Sequence, residues 1–320
     1  MRYRVPAAWV LAVLVALLLT ACDQARSAEP AEAGKGPIRV GSRGFAESVL
    51  LGEIIMQQLQ SAGFEVEDHL GQGGDAVREE LIGKRVDIYA DYTANALVLY
   101  HPEVYAQLDR EVLRSADMTY REAVRIERRD SSIVWLEPSP ANNTWGIAVS
   151  RALASRERLV SIEDFASYVN KGGHVKHAGS SAFFVRDDAL PAIEKAYGFV
   201  LSDNQKVTIG STESSLFAEA LSSGADGVNA AMVYATDGTL ETLGLAMLTD
   251  TKNAQLWYQP APVLRLDTHT RYPEIGDILA PSFALLTTDV LRDLNAKITV
   301  DERDPGEVAR EWLDENGLSQ

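Results

Sequence analysis

Ile38-Arg-Val-Gly-Ser-Arg-Gly-Phe-Ala-Glu-Ser-Val-Leu-Leu-Gly-Glu-Ile-Ile-Met-Gln-Gln-Leu-Gln60 is the stretch on which the fold turns. Ile38 to Ser42 reads as a strand. It leads into a helix from about Glu47 to Gln60, with Val49, Leu50, Glu53, Ile54 and Leu59 at mixed core and surface spacing, and Gly63 closes it. The same strand-then-helix unit recurs along the chain. Further strands are expected at Phe64–Glu67, Val86–Ala90, Ile133–Leu136, Trp145–Val149, Val175–Ala178, Lys206–Ile209, Asn229–Tyr234 and Leu245–Leu248. Helices are expected at Ala76–Gly83, from Thr119 to Arg129 with Thr119 and Glu122 as a capping box, at Ile162–Asn170, at Ala189–Tyr197 before Gly198, and at Ser214–Ser222. The end is helical, with Asp304 as N-cap, Pro305 in the first turn and Gly317 as the stop. Such alternation predicts an α/β fold with mostly parallel sheets, and the length favours two lobes over one.

Composition agrees with a folded chain: 320 residues, 46% hydrophobic and 24% charged. A formal charge of −16 gives no basic stripe, so a nucleic-acid partner is not expected. The single cysteine, Cys22, excludes an intramolecular disulfide framework and any multi-cysteine metal site.

The first 21 residues read as a signal peptide. Arg2 and Arg4 precede an apolar run from Trp9 to Leu19, shorter than a membrane span. The run ends Leu19-Thr-Ala-Cys22, which resembles the bacterial lipobox, in which the peptidase cuts before a cysteine that then carries lipid. Residues 22–37, rich in Ala, Glu and Gly, read as a flexible tether behind that anchor.

Motifs of catalysis are missing: no nucleophile elbow, no phosphate-binding loop and no dinucleotide fingerprint occur. His174 and His177 form the only close histidine pair, in a context of loop and strand that does not favour a metal site. Binding signals are denser. Ser42 to Glu47 would set Arg43 and free amides beyond the end of a strand, where ligands often lie in open α/β sheets, though a structural turn reads equally well. Tyr92 and Asn95 sit where a strand gives way to a helix, as pocket wall or as packing under a loop. Trp145 enters another strand as core or pocket wall. Arg186 follows Phe183-Phe184-Val185, facing a ligand or a surface carboxylate.

Five stretches together resemble a family. They are Gly41–Glu53, Asp87–Thr93, Pro140–Trp145, Ala189–Phe199 and Gly227–Gly238, and they resemble the solute-binding proteins of bacterial glycine betaine/choline-type ABC importers, most closely the OsmF branch, from Ile38 to the C-terminus. The resemblance implies a two-lobe type II periplasmic-binding-protein fold with two interlobe crossings. Lobe one is then 38–142 plus 256–320, and lobe two 143–255. It implies a quaternary ammonium held by aromatic faces, with a carboxylate arm bound by basic or amide donors. Carried over, Tyr92 matches a cage tyrosine, and Trp145 stands where many relatives have another. Arg43 matches the basic residue of the first loop, Asn95 a polar position, and Arg186 the arginine after the Phe-rich turn. Phe217 stands near a cage tyrosine, Leu243 replaces a further one, and Tyr234 lines the cleft in compensation. The implied protein is no enzyme, needs no cofactor or metal, and works as a monomer. Its partners are a small zwitterionic or cationic solute, an ABC permease with its ATPase, and the membrane through the lipid on Cys22, on the periplasmic face of the cytoplasmic membrane. A binder of another solute such as an amino acid, a receptor-coupled sensor and an envelope enzyme on the same fold are the alternatives.

Overall fold

Strand and helix alternate through the chain as expected, but they assemble into two sheets whose strand orders are not sequential. The computed structural model describes residues 35–71, 76–109, 115–210 and 214–319. The expected signal peptide 1–21, the lipidation site Cys22 and the tether as far as residue 34 lie outside the described residues. The last three residues of that tether, Lys35 to Pro37, instead open the first strand.

In chain order the described strands are β1 (Lys35–Gly41), β2 (Phe64–His69), β3 (Ile88–Tyr92), β4 (Ile133–Trp135), β5 (Trp145–Ser150), β6 (His177–Gly179), β7 (Lys206–Thr208), β8 (Ala230–Tyr234), β9 (Leu245–Met247) and β10 (Pro260–Arg265). The first sheet has the order β2-β1-β3-β10-β4 and the second β7-β6-β8-β5-β9. β1 runs parallel to β3, and β6 runs parallel to both β7 and β8. One strand in each sheet opposes its neighbours: β10 is antiparallel to β3 and β4, and β5 is antiparallel to β8 and β9. The chain passes from one sheet to the other between β4 and β5, and returns between β9 and β10. Two sheets joined by two connections are the two-lobe α/β arrangement that the resemblance implied.

β10 is the strand that sequence reading missed, because Pro260 and Pro262 argue against a central strand. Both prolines survive there for a specific reason. Their carbonyls accept from Ser139 N–H (2.8 Å) and Leu136 N–H (3.0 Å), so the side on which a proline lacks its donor faces a segment that has already left β4. The regular antiparallel pairing with β4 begins only at Val263, opposite Trp135.

Each sheet has its own core. Ile147, Phe165, Phe183, Phe217 and Val233 belong to one buried cluster, drawn wholly from residues 147–248. The other joins Ile38, Val40, Leu50 and Ile54 to Leu291, Leu294, Val308 and Trp312 from the far end of the chain. At roughly 1.5–3 kcal/mol per buried side chain, the C-terminal helices are structural partners of helix α1 (Ala46–Ser61) and not an appendage.

Three local expectations need correction. The helix expected from Thr119 starts a turn earlier, at Ala116, with Ser115 in extended conformation as its N-cap; Thr119 is buried inside it, so no capping box forms there. β3 covers Ile88–Tyr92 instead of Val86–Ala90, because Val86 and Asp87 still belong to the incoming turn. The strand expected at Val175 begins at His177, whose ring is buried against Phe183 at 5.5 Å. Burial pushes that imidazole down to about 3, so His177 is a neutral core residue. Among the described residues, no three His, Cys, Asp or Glu converge as a metal site, and no helix is long and apolar enough to cross a membrane.

Candidate functional site

A cavity of about 460 Å³ is lined from both sheets and from both crossings. That lies within the range of roughly 300–1,000 Å³ usual for small-molecule pockets. Its first wall is made where β1 and β3 end. Arg43 and Phe45 follow β1, Glu47 opens α1, and Tyr92 is the last residue of β3 before helix α2 (Thr93–Val98), which carries Asn95. The ends of the parallel strands β1 and β3 and the start of α1 meet here, and the Arg43 amide donates to Ser48 Oγ (2.9 Å).

The charge of Arg43 is not free. Its guanidinium donates to Asp91 Oδ1 (3.1 Å) and to Tyr100 Oη (2.6 Å), and it is buried. Asp91 also accepts from Tyr89 Oη (2.5 Å), Tyr100 Oη (2.8 Å), Asn95 Nδ2 (2.9 Å) and Tyr92 N–H (2.8 Å). Burial works against the Asp91 carboxylate, but the Arg43 charge and these donors outweigh it and hold the carboxyl below its ordinary value. Asn95 therefore orients the Arg43–Asp91 pair as well as facing the cavity.

Beneath Tyr92 lies Glu47. Its carboxylate accepts from Tyr92 Oη (2.7 Å), Asn143 Nδ2 (2.8 Å) and Asn295 Nδ2 (2.6 Å). Burial pushes this carboxyl above its ordinary value, while the four hydrogen bonds from Thr236, Tyr92, Asn295 and Asn143 pull the other way. Asn295 belongs to helix α3 (Thr288–Thr299) and also donates to the Thr236 carbonyl (2.9 Å). Glu47 thus lies at the junction of the first wall, a crossing and the second wall.

The second wall is aromatic. Trp145 and Tyr234 are directly opposed across β5 and β8, which sets their rings 6.3 Å apart. Tyr258 of the return crossing lies 6.4 Å from the same indole, and Phe183 meets it edge-on at 5.9 Å. The Arg186 guanidinium rests 4.6 Å over the Trp145 ring. It also donates to both oxygens of Asp188, at 3.0 and 2.7 Å, and Tyr258 Oη donates to the same carboxylate at 2.7 Å. The turn before Arg186 is tied by Ser180 Oγ, which accepts from Phe183 N–H (3.1 Å), while Phe183 and Phe184 fill the core.

Arg43, Tyr92, Asn95, Trp145, Arg186 and Tyr234 all line the cavity. Phe217 does not. It is wholly buried in the second core, on the helix Ser214–Ser223 whose Ser215 is the residue turned to the cavity. Two helical positions lie about 200° apart, so Ser215 at the pocket puts Phe217 on the opposite face. Leu243 likewise packs against that core. Sequence reading passed over Phe45, Glu47, Tyr100, Asn143, Asp237, Tyr258 and Asn295. Glu47, Asn143 and Asp237 lay inside stretches already singled out, and their position at element ends was a usable signal. Tyr258 and Asn295 had none, since chain return alone brings them there.

Comparison with known proteins shows the family. Residues 36–315 match the family described as the substrate binding domain of ABC-type glycine betaine transport systems. The glycine betaine-binding protein YehZ of Escherichia coli K12 is 37% identical over 285 residues, covering 89% of this chain and 92% of its own. A glycine-betaine-binding protein of Pseudomonas aeruginosa is 28% identical over 288 residues, covering 88% of each. The solved structure of apo YehZ superposes with a TM-score of 0.72 at 36% identity, over 88% of this chain and 99% of that one. These relatives are binding proteins of transport systems and not enzymes, and the chain belongs to the family of substrate-binding domains of ABC-type glycine betaine transporters.

Proposed function

We propose that this protein is a periplasmic lipoprotein that captures a quaternary-ammonium osmoprotectant of the glycine betaine type between two lobes and delivers it to an ABC permease and its ATPase. The observation that carries the reading is the aromatic lining supplied from opposite sides of one cavity, Tyr92 on one and Trp145, Tyr234 and Tyr258 on the other. A quaternary ammonium has no N–H to donate, so aromatic faces are the groups that hold it, each contributing roughly 0.5–2 kcal/mol. Lobe one is 38–142 with 256–320 and lobe two 143–255, and a ligand touching both stabilises the closed arrangement by that differential contact. Arg43, Tyr92, Asn95, Trp145, Arg186 and Tyr234 are the binding residues of this reading, and the protein acts as a monomer anchored through lipid on Cys22.

Calorimetric titration of the mature protein with glycine betaine, choline, carnitine and amino acids tests it. Binding of at least one quaternary ammonium at millimolar concentration or tighter is expected, with binding of amino acids alone as the opposing result. Replacing Cys22 with Ser is expected to release the protein from the membrane fraction; unchanged fractionation refutes the anchor.

A further inference from the structure

Four charged side chains line the cavity, and they do not balance. Arg43 is matched by Asp91 and Arg186 by Asp188, each through a buried carboxylate at hydrogen-bond distance. Glu47 and Asp237 also face the cavity, both buried, and among the described residues no cationic side chain pairs with either. The Glu47 oxygens meet only neutral partners, Tyr92, Asn143, Asn295 and Thr236. Burial alone favours the protonated form of this carboxyl, so a positive charge arriving beside it is what favours the ionised one. Its place in the first turn of α1 favours the same charge state. Asp237 accepts through Oδ1 from Thr239 N–H (2.9 Å) and Thr239 Oγ1 (2.7 Å), while its Oδ2 is buried without a hydrogen-bond partner among the described residues.

Two buried carboxyl groups without a cationic partner leave the cavity lining short of positive charge. Buried ions without a counter-ion are costly, and an occupant bringing one positive charge recovers part of that cost. A zwitterion brings its own carboxylate as well. That group must be accommodated in a site already rich in negative charge, beside guanidiniums engaged with Asp91 and Asp188. We infer that Glu47 and Asp237 set the charge preference of the site, so that it takes a quaternary-ammonium monocation, with a hydroxyl in place of the carboxylate arm, ahead of a zwitterion. The inference rests on the quaternary-ammonium reading above and sharpens it to a charge class.

The test is titration of choline and of glycine betaine into the mature wild-type protein, Glu47→Gln and Asp237→Asn, with circular dichroism to verify folding of each variant. Wild type is expected to bind choline about tenfold or more tighter than betaine. Glu47→Gln should lower choline affinity about tenfold while changing betaine less than about threefold, and Asp237→Asn should move the ratio in the same direction. Betaine binding as tightly as choline in wild type, or equal losses for both ligands in the folded variants, overturns the inference and leaves the quaternary-ammonium reading standing. Failure of wild type to bind either ligand removes that reading, and this inference with it. Should Glu47→Gln not fold, Asp237→Asn decides the question alone.

Discussion

The two walls of the cavity are built by opposite means. The first is an ionic and hydrogen-bonded lattice in which Asp91 accepts from Arg43, Tyr89, Tyr100, Asn95 and a backbone amide. The second is a set of rings around Trp145, with Arg186, held by Asp188, laid on one of them. The lattice is buried and charged, so its cost of rearrangement is high. Contacts among the rings are individually weak, about 0.5–1.5 kcal/mol each beyond the area they bury. One wall is therefore expected to carry fold stability and the other affinity, and each can be attacked separately.

Asp91→Asn strikes the lattice and should have the largest effect. It leaves the buried Arg43 guanidinium without its counter-ion, a change of about 3–5 kcal/mol in stability. Urea denaturation checks this, and a loss below about 1 kcal/mol would mean that the pair is not what holds the first wall. Trp145→Ala strikes the rings. It removes the plate that Tyr234, Tyr258 and Arg186 share, so affinity for any quaternary ammonium should fall by about 2 kcal/mol, roughly thirtyfold by calorimetry, with a much smaller loss of folding stability.

Gly238→Ala tests how the walls face each other. A Cβ there would sit 2.2 Å from the Ala296 backbone nitrogen of α3, which cannot move aside as a flexible side chain can. Overpacking of this kind costs about 1–3 kcal/mol, here charged to the arrangement in which the Tyr234–Thr239 turn meets α3. The variant should show a larger radius of gyration by small-angle scattering and weaker binding. An unchanged radius and affinity would place closure elsewhere.

The smallest effect concerns pH. Burial raises the Glu47 carboxyl above its ordinary value, so the folded state keeps a proton that the unfolded chain has lost across that interval. Stability from this group is present below the unfolded value and is lost as pH rises through the raised one. Neutral Gln does not titrate. The difference in melting temperature between Glu47→Gln and wild type should thus shift in favour of the variant as pH rises above the ordinary carboxylate range, and a constant difference would contradict the assignment.

How much of this was legible beforehand varied with the range of the interaction. The helix Ile162–Asn170 needed only its own residues, with Ser161 and Asp164 capping reciprocally, and it forms where its periodicity puts it. Tyr92, Trp145 and Arg186 were legible as residues lining the cavity because they stand at element ends, where strands of an α/β sheet present side chains to a crevice. Phe217 was misplaced because only the packed orientation of its helix says which face turns inward.

Local pattern by itself determined the alternation of strand and helix, their approximate bounds, and the aromatic and basic residues at the ends of strands, since hydrophobic period and capping act within a few residues. Tertiary structure alone decided the reversed strand β10, the pairing of Arg43 with Asp91, and the arrival of Asn295 and Tyr258 at the cavity. Those outcomes join segments up to 248 residues apart, as Asn295 and Glu47 are. Charge balance in a cavity is of the same kind: which carboxylates are matched depends on neighbours that the folded chain brings together, and that decides what charge a ligand must carry.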